Sequence, residues 1–519
     1  MKPHPPRPDS SSAGQRIALR LEEFRALRAR GALCTEVTEQ LAAEAASAFL
    51  NHYREREEYL SDAIALLAEI STLDEPCLSQ PGQRATFPLL VEYLSDSFDP
   101  AYCDLYDRAF TQLIATCRRL PSAQDLDRAL RRFALDSEAD LLARKARLRQ
   151  RLPMLDPAEQ QKIRKVLVLS RVTLGADVAV TSVVLQKAQK VFPQAERVLL
   201  GSLKLRELFG GDPSLRIREA RYETDGGLLE RLRNWLPLVE TIENELQNLV
   251  PPEYVVLDPD SRMLQLGLLP ALEDESRYFF FESRRYGEGT PGSLSNLTLR
   301  WLNGQFGRSA TILPAVSLKE QDRAFARELC RKLRQGGAER LIAASFGVGG
   351  NPQKRLPDPF EDLLLLELVK NGCTVLLDKG FGSDEIGRAN RLVEQVKAQG
   401  WPVMELDPAS VLSATMGEHL RCRVLTWQGG IGEFSAMVAE SDEYVGYDSA
   451  GQHIAAALGV PTLDIFNRNT SAVFQERWQP TGPNVTKVVA ECAADGTPRA
   501  VSDILAEVMT LHKEILAKR

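Results

Sequence analysis

The stretch Tyr444–Phe466, YVGYDSAGQHIAAALGVPTLDIF, contains the pattern that decides the fold. A short apolar run, EYVGY, ends at Asp448, small residues follow, and an alanine-rich segment continues at helical spacing. A second apolar run, PTLDIF, closes the stretch. Strand, turn, helix and strand in this order are typical of a parallel sheet, because the helix returns the chain to the edge where the next strand begins.

The turn after the first strand of this stretch is a candidate anion site. Ser449, Ala450 and Gly451 would let a ligand approach the first turn of the helix, where N–H groups have no partner within the helix. His453 follows within the next turn, and the chain has only five histidines. The alternative is structural: Asp448 caps the helix and His453 packs with one ring nitrogen satisfied. Spacing alone leaves both interpretations open.

Further apolar runs alternate with helical segments before this stretch. KVLVLS, RVLLGS and YVVLD form one series, and LIAASFG, TVLLDKG, PVMELD and RVLTW form a second. Two such series predict an α/β protein with two Rossmann-like, doubly wound domains and a ligand cleft at the carboxyl ends of the strands. The amphipathic last segment, SDILAEVMTLHKEILAKR, is expected to pack across the first sheet.

The region before the first series is helical in pattern. RIALRLEEFRALRARG and SEADLLARKARLRQRL carry apolar residues at three- and four-residue spacing. We therefore predict a disordered tail over residues 1–15, a helical domain over 16–160, and Rossmann-like domains over 161–330 and 331–519. The helical domain shows no cluster of chemistry-bearing residues, which favours a role in oligomerisation or partner docking.

Composition excludes several classes of protein. The formal net charge of −7 argues against a surface that coats nucleic acid. No apolar run reaches the ~20 residues of a membrane-spanning helix, and the start, MKPHPPRPDSSSAGQ, lacks the apolar core of a secretory signal. Eight cysteines without metal-ligand spacing indicate reduced thiols. These features predict a cytoplasmic protein that binds no nucleic acid and no metal.

A glycine-rich loop followed by two cations is a second candidate site. In SFGVGGNPQKRLPDPFEDLLLLEL, Lys354 and Arg355 lie between the end of a strand and the next helix. Positive charge and N–H donors that converge in this way fit a diphosphate. Glycine-rich loops and Lys-Arg pairs are also common on ordinary surfaces, so the motif alone is only moderately specific.

Three other strand-to-helix turns each contribute one candidate residue. Asp177 follows KVLVLS and a turn of small residues, where it could act as a general base or cap the helix. Glu385 follows TVLLDKG and a glycine turn, where an acidic side chain could bind a ribose hydroxyl or remain a solvated charge. Gly430, in the turn QGGIGE, could line the same cleft or cap its own helix.

Together, and in this order, the motifs resemble the ADP-heptose:lipopolysaccharide heptosyltransferase family, glycosyltransferase family 9. The resemblance runs from about Arg164 to the C-terminus, through VLVLSRVTLGADV, SFGVGGNPQKRLP, KGFGSDE and VGYDSAGQHIAAALGVPTLDIF. It implies a GT-B fold and an inverting, metal-independent reaction. In that reaction a sugar moves from a nucleotide diphosphate sugar, such as an ADP-sugar, to an acceptor hydroxyl, and no cofactor is needed.

The resemblance also implies roles for individual residues. Asp177 matches the aspartate that is the family's proposed catalytic base. Lys354 matches the lysine beside the donor diphosphate, and Glu385 matches the acidic residue at the ribose. The donor-binding residues that we predict from the motifs and the resemblance are Lys354, Arg355, Glu385, Gly430, Asp448, Ser449, Ala450, Gly451 and His453.

The chain departs from the family pattern at several positions. GAD stands where the family has GD, so either Ala176 replaces the glycine or one residue is inserted. DSAG stands where the family has DSG, and neither the helical region nor the insertion FFFESRRYGEG belongs to the pattern. These departures predict an acceptor other than the lipopolysaccharide core, bound near Asp177 by Arg284, Arg285 and Tyr286.

The predicted partners are a nucleotide sugar and a glycan, lipid-linked or protein acceptor. Contact with the inner face of the membrane through the helical domain remains open. Two alternative functions also remain: a GT-B-type sugar-nucleotide epimerase, and a catalytically silent scaffold that binds nucleotide sugars. Product analysis without an acceptor would identify the epimerase, and binding without turnover would identify the scaffold.

Overall fold

The computed structural model describes most of the chain. The described residues are 11–150, 153–222, 226–349, 351–409, 419–467, 471–484, 486–492 and 497–517. Of the predicted disordered tail, residues 1–10 lie outside this set, whereas residues 11–15 belong to the helix Ser11–Ala29.

The chain divides into two compact units. The first, called the N-terminal unit, consists of Met1–Leu152, Ala220–Leu249 and Asp260–Glu288. The second, called the two-sheet unit, consists of Pro153–Glu219, Val250–Pro259 and Gly289–Arg519. Both predicted Rossmann-like series therefore lie in one compact unit. The three domain boundaries drawn from the sequence remain predictions.

The described strands are rich in valine, leucine and isoleucine, as expected for strands covered by helices on both faces. In chain order they are β1 (Lys165–Leu169), β2 (Glu196–Gly201), β3 (Leu215–Glu219), β4 (Tyr254–Asp258), β5 (Tyr278–Phe280), β6 (Leu341–Ser345), β7 (Thr374–Asp378), β8 (Val403–Leu406), β9 (Val424–Trp427), β10 (Glu443–Tyr447), β11 (Thr462–Phe466) and β12 (Thr486–Ala490).

The N-terminal unit is built mainly of helices and also holds β5. Its α-helices are Ser11–Ala29, Thr35–Arg56, Ser61–Ser71, Pro76–Arg84, Glu92–Ser95, Pro100–Cys117, Gln124–Arg132, Glu138–Arg149, Leu228–Arg233 and Trp235–Leu246. A π-helical turn, Ala85–Val91, contains Pro88. Proline cannot donate the backbone hydrogen bond of a regular helix, which accounts for the altered turn.

Charged side chains join the helix Glu138–Arg149 to the later segment Asp260–Glu288. Arg144 Nε donates to Glu275 Oε1 at 2.7 Å across a separation of 131 residues. Lys145 Nζ lies 3.3 Å from Glu282 Oε1, and only 3% of the Lys145 side chain is exposed. Because a buried charge is costly without a partner, these pairs hold the two segments in one unit.

The two-sheet unit holds two parallel sheets. In the first, the strands lie in the order β3-β2-β1-β4, and in the second the order is β12-β11-β10-β6-β7-β9-β8. The described α-helices of this unit are Pro157–Gln160, Leu174–Ala176, Ser182–Val191, Leu205–Phe209, Leu294–Phe306, Glu320–Gln335, Phe360–Lys370, Ser383–Ala398, Ile431–Ala439, Ala450–Ala457, Ala472–Trp478 and Val501–Ala517. This arrangement confirms the predicted mixed α/β class with two parallel sheets.

The last helix does not pack where the sequence suggested. Ile504 and Val508 of Val501–Ala517 belong to the core of the second sheet, so the expected packing across the first sheet is wrong. The buried His512 ring fixes this position, because its Nδ1 lies 2.7 Å from Glu443 Oε2 and its Nε2 lies 3.7 Å from Cys373 Sγ. None of the described helices combines the length and apolarity of a membrane-spanning segment.

Candidate active site

Lys354 and Asp448 meet at the carboxyl edge of the second sheet. Lys354 ends the short 3₁₀ helix Pro352–Lys354 after β6, and Asp448 follows β10, the neighbour of β6. Lys354 Nζ donates to Asp448 Oδ2 at 2.8 Å and to the Asp448 carbonyl oxygen at 3.2 Å. The strand order thus brings together two motifs separated by 94 residues.

Asp448 is held from a second side by the helix that follows it. Gln452 Nε2 donates to Asp448 Oδ1 at 2.9 Å, and only 5% of Asp448 is exposed. Ser449, not Asp448, occupies the N-cap position of the helix Ala450–Ala457, and its side chain makes no capping hydrogen bond. The capping interpretation of Asp448 therefore does not describe its side chain, which orients the Lys354 ammonium.

Gly451 is placed where no side chain would fit. A Cβ atom at this position would overlap the hydroxyl oxygen of Tyr444, whose ring crosses from β10 toward the helix. A glycine one place later than in the family's DSG therefore allows the helix to start against Tyr444. Ala450 and Ser449 are partly exposed at this start.

His453 is a buried, neutral side chain. It is 4% exposed, and burial lowers the pKa of its ring to about 4, with Asp448 opposing that shift. Its ring centroid lies 5.9 Å from that of Trp478. At neutral pH, His453 can therefore give the site a hydrogen-bonding nitrogen and an aromatic surface, but no positive charge.

Asp177 lies in a turn that contacts the helix Ala450–Ala457. A Cβ on Gly175 would lie 3.2 Å from Ala450 Cα and 3.2 Å from His453 Cδ2. The segment Asp177–Thr181 forms a π-helical turn. Because a π-turn holds one residue more than an α-turn, it fits the alternative in which GAD contains one inserted residue.

The Asp177 carboxylate is enclosed by hydrogen-bond donors. Oδ2 accepts from Ser170 Oγ at 2.7 Å, and Oδ1 accepts from the Arg171 backbone N–H and from Thr181 Oγ1, each at 2.7 Å. The side chain is fully buried, and this burial raises the pKa of Asp177 to about 6 against the opposing effect of the donors. A carboxyl group with this pKa can accept a proton at neutral pH.

Glu385 binds backbone groups of the glycine-rich loop. Its Oε1 accepts from the N–H groups of Val348 and Gly349 at 2.9 and 3.0 Å, and its Oε2 accepts from the Phe381 N–H at 2.9 Å. Glu385 therefore fixes this loop to the turn after β7. A ribose hydroxyl could be bound only alongside these bonds or in exchange for one of them.

Arg355 and Gly430 contact other parts of the two-sheet unit. Arg355 Nε donates to Glu361 Oε1 at 2.7 Å, which directs the guanidinium toward the helix Phe360–Lys370. Gly430 precedes the helix Ile431–Ala439, whose Gly432 N–H donates to Glu207 Oε2 at 3.1 Å. These contacts do not place either residue beside the Lys354 ammonium.

Arg284, Arg285 and Tyr286 lie in the N-terminal unit, outside the two-sheet unit that holds Asp177. Arg284 Nη1 donates to Asp260 Oδ2 at 2.9 Å, and Arg285 Nη1 donates to Asp104 Oδ1 at 2.6 Å. The Tyr286 ring packs 5.2 Å from that of Phe281. All three side chains therefore have partners within the N-terminal unit.

Sequence reasoning missed four residues around the Lys354–Asp448 pair and the Asp177 turn. Asp464 of β11 is fully buried, and its carboxyl oxygens have no hydrogen-bond partner among the described residues. Burial and the neighbouring Asp448 raise the pKa of Asp464 well above its usual range. The others are Arg171, Phe474 and Trp478, and the only signal in the sequence was the aromatic spacing of VFQERW. Within the described parts of the chain, no cluster of three or more potential metal ligands occurs.

No protein-family model matches the chain, and no curated protein does. Among solved structures, the chain is similar to a glycosyl transferase family 9 protein from Veillonella parvula, with 15% identity and a TM-score of 0.50 over 71% of this chain and 100% of that chain. It is also similar to E. coli ADP-heptose LPS heptosyltransferase II, with 16% identity and a TM-score of 0.45 over 68% and 99% of the two chains. A third similar structure is E. coli heptosyltransferase WaaC with ADP, with 14% identity and a TM-score of 0.43 over 68% of this chain and 100% of that chain. The similarity to the Veillonella parvula structure shows that the covered part of the chain has the fold of a family 9 glycosyl transferase.

Proposed function

We propose that the protein is a glycosyltransferase that moves a sugar from a nucleotide diphosphate sugar to an acceptor hydroxyl. The observation that carries the proposal is the Lys354 ammonium, held by Asp448 at the start of the helix Ala450–Ala457. A cation next to the first N–H groups of a helix is suited to bind a diphosphate. The order of the motifs and the shared fold support the same function.

The proposed reaction inverts the anomeric carbon. The acceptor oxygen forms a bond to this carbon while the bond to the diphosphate oxygen breaks, and the electron pair leaves with the nucleoside diphosphate. Negative charge grows on the leaving diphosphate, where Lys354 and the helix start stabilise it. Because these groups supply the positive charge that the leaving group needs, the proposal includes neither a metal nor a cofactor.

Asp177 is the proposed base that takes the proton of the acceptor hydroxyl. Its raised pKa of about 6 suits that role at neutral pH. Both of its oxygens already accept hydrogen bonds, so the acceptor hydroxyl must replace a side-chain donor, either Ser170 or Thr181. The acceptor therefore enters the site at the turn that follows β1.

The remaining assignments are extensions of this proposal. Glu385, Ser449 and His453 are proposed to line the donor site, and the acceptor is a glycan, a lipid-linked sugar or a protein. The N-terminal unit is proposed to recruit partners or to mediate oligomerisation, and the cytoplasmic location is likewise a prediction.

The first test is a thermal-shift screen with ADP-glucose, ADP-mannose, UDP-glucose and GDP-mannose, because a bound ligand raises the apparent melting temperature. Release of the nucleoside diphosphate is then measured with the donor that stabilises the protein. In Asp177→Asn, binding should persist, whereas release and transfer should fall about 10²–10⁴-fold.

The outcomes of this test are distinct. Stabilisation by none of the four donors would overturn the proposed donor class. Binding without turnover in the wild type would instead identify a silent scaffold. Unchanged turnover in a folded Asp177→Asn variant, checked by its melting curve, would remove Asp177 from the mechanism.

A further inference from the structure

Two aromatic rings lie beside the candidate donor site, on the short helix Ala472–Trp478. The Phe474 ring centroid lies 5.8 Å from Lys354 Nζ, and the Trp478 ring centroid lies 5.9 Å from that of His453. The two rings are themselves 6.4 Å apart. An aromatic surface therefore extends from the Lys354 ammonium to the His453 ring.

The turn after β1, at the edge of the first sheet, also contributes a side chain to this surface. The Arg171 guanidinium, from the turn after β1, lies 5.7 Å from the centroid of the Trp478 ring. Arg171 is 4% exposed, and its Nη1 donates to the Pro259 carbonyl oxygen at 2.9 Å. Its backbone N–H donates to Asp177. Trp478 therefore lies between the proposed base side and the proposed donor side of the site.

The helix that carries both rings is anchored at its C-terminal end. Glu476 Oε1 accepts from the Gly292 N–H at 3.0 Å, and Arg477 Nη1 donates to the Gly292 carbonyl oxygen at 2.8 Å. Trp478 follows directly and is half-buried. These bonds anchor the helix, and the Phe474, His453 and Arg171 side chains contact the indole itself.

We propose that Trp478 is a specificity-determining residue that packs against the pyranose ring of the transferred sugar. The C–H face of a pyranose is apolar and matches an indole surface, while its hydroxyls need polar partners close by. The Arg171 guanidinium and the His453 ring, each 4% exposed, are polar groups that contact the Trp478 ring and would border the bound sugar. This inference rests on the proposed function, since it assigns the sugar subsite of the same site.

If Trp478 contacts the sugar, the effect of replacing it depends on whether the ligand carries a sugar, which distinguishes this role from simple packing. If Trp478 only filled space, its replacement would lower the stability of the protein and change the affinity for ADP and for ADP-sugars alike. If it packs against the sugar, ADP should bind unchanged, because ADP lacks the pyranose. The ratio of the two affinities is therefore the informative quantity.

The test measures the dissociation constants of ADP and ADP-glucose by calorimetry for the wild type, Trp478→Phe and Trp478→Leu. The wild type should bind ADP-glucose more tightly than ADP, and Trp478→Leu should reduce that preference about 3–10-fold, as the loss of one aromatic contact would. Trp478→Phe, which retains a ring, should reduce it less. Trp401→Phe is the matched control, because Trp401 is a partly buried tryptophan that packs on the core of the second sheet.

Three results would overturn the inference. They are equal affinity of the wild type for ADP and ADP-glucose, an unchanged preference in Trp478→Leu, and an equal loss for both ligands in that variant. Failure of the proposed function has a different signature, because none of the four donors of the thermal-shift screen would then stabilise the wild type.

Discussion

Replacement of Lys354 by methionine should weaken the binding of ADP, because it removes the ammonium and keeps most of the side-chain length. Lys354 Nζ lies 2.8 Å from Asp448 Oδ2 and 3.2 Å from the Asp448 carbonyl oxygen, at the start of the helix Ala450–Ala457. A diphosphate that reaches this helix start would lie within hydrogen-bonding distance of the same ammonium. The prediction tests the assignment on which the proposed function depends.

The expected magnitude follows from the exposure of the lysine. Two unit charges 4 Å apart interact by about 4 kcal/mol at the effective dielectric constant of a protein surface. The Lys354 side chain is 29% exposed, so water screens part of that interaction. A hydrogen bond to a charged group contributes about 1.5–3 kcal/mol net, which corresponds to a loss of about 10–100-fold in affinity.

Asp448 adds a second, separable contribution. In Lys354→Met its carboxylate, 5% exposed, keeps the hydrogen bond from Gln452 but loses the ammonium. The unpaired carboxylate would then repel a diphosphate at the helix start. The double variant Lys354→Met/Asp448→Asn should therefore bind ADP about 3–10-fold more tightly than Lys354→Met alone, as expected for coupled neighbours.

Calorimetric titration with ADP at one fixed salt concentration measures all three affinities. Lys370→Met is the matched control, because Lys370 is 53% exposed and pairs only with Glu367 of its own helix in the described structure. It should bind ADP like the wild type. If folded Lys354→Met also bound ADP with wild-type affinity, the diphosphate would not lie at this ammonium, and the argument from the helix start would be wrong.

Two further predictions concern the stability of the second sheet. Burial disfavours the protonated form of His512, but its hydrogen bonds to Cys373 and Glu443 outweigh this effect and raise its pKa from 6.5 to about 9. The protonated ring therefore adds up to about 3 kcal/mol to the free energy of unfolding below pH 6.5, and this contribution is lost as the pH rises through 9. Urea unfolding at pH 7 and pH 10 should show this loss in the wild type and a smaller one in His512→Gln; equal losses would refute it. Gly451→Ala should lower stability by about 1–3 kcal/mol through overlap with the Tyr444 hydroxyl, and an unchanged melting temperature would contradict the fit described.

The parallel architecture could be predicted because its signal is local. Runs such as KVLVLS and LIAASF are continuous apolar strands, and turns of small residues follow them directly. The proximity of Lys354 and Asp448 also follows from this pattern, since carboxyl ends of neighbouring parallel strands share one edge. What the motifs could not give is the state of each side chain: Glu385 is bonded to backbone N–H groups and Asp177 is enclosed by donors.

Contacts between distant segments were beyond the local pattern. The sequence showed Arg284 and Arg285 as basic residues of the insertion FFFESRRYGEG, but each finds an acidic partner, Asp260 and Asp104 respectively, within the N-terminal unit. Trp478 was missed for the same reason, because its neighbours come from other elements of the two-sheet unit. Periodicity identifies a helix and its apolar side, but it does not identify the residues against which a charged or aromatic side chain packs.

The charge balance of the candidate site limits which ligand can occupy it. His453 is neutral at neutral pH, and the charged side chains around the helix start and the adjoining turn are Lys354, Arg171 and the carboxylates of Asp448 and Asp177, the last ionised because its pKa is about 6. Two cations and two carboxylates sum to about zero, to which the helix start adds roughly half a positive charge. A diphosphate brings more negative charge than this total, so it must either share the Lys354 ammonium with Asp448 or displace the carboxylate from it. Binding and the Lys354–Asp448 ion pair are therefore coupled, and comparison of Lys354→Met with the double variant separates the effect of the unpaired carboxylate from the loss of the ammonium.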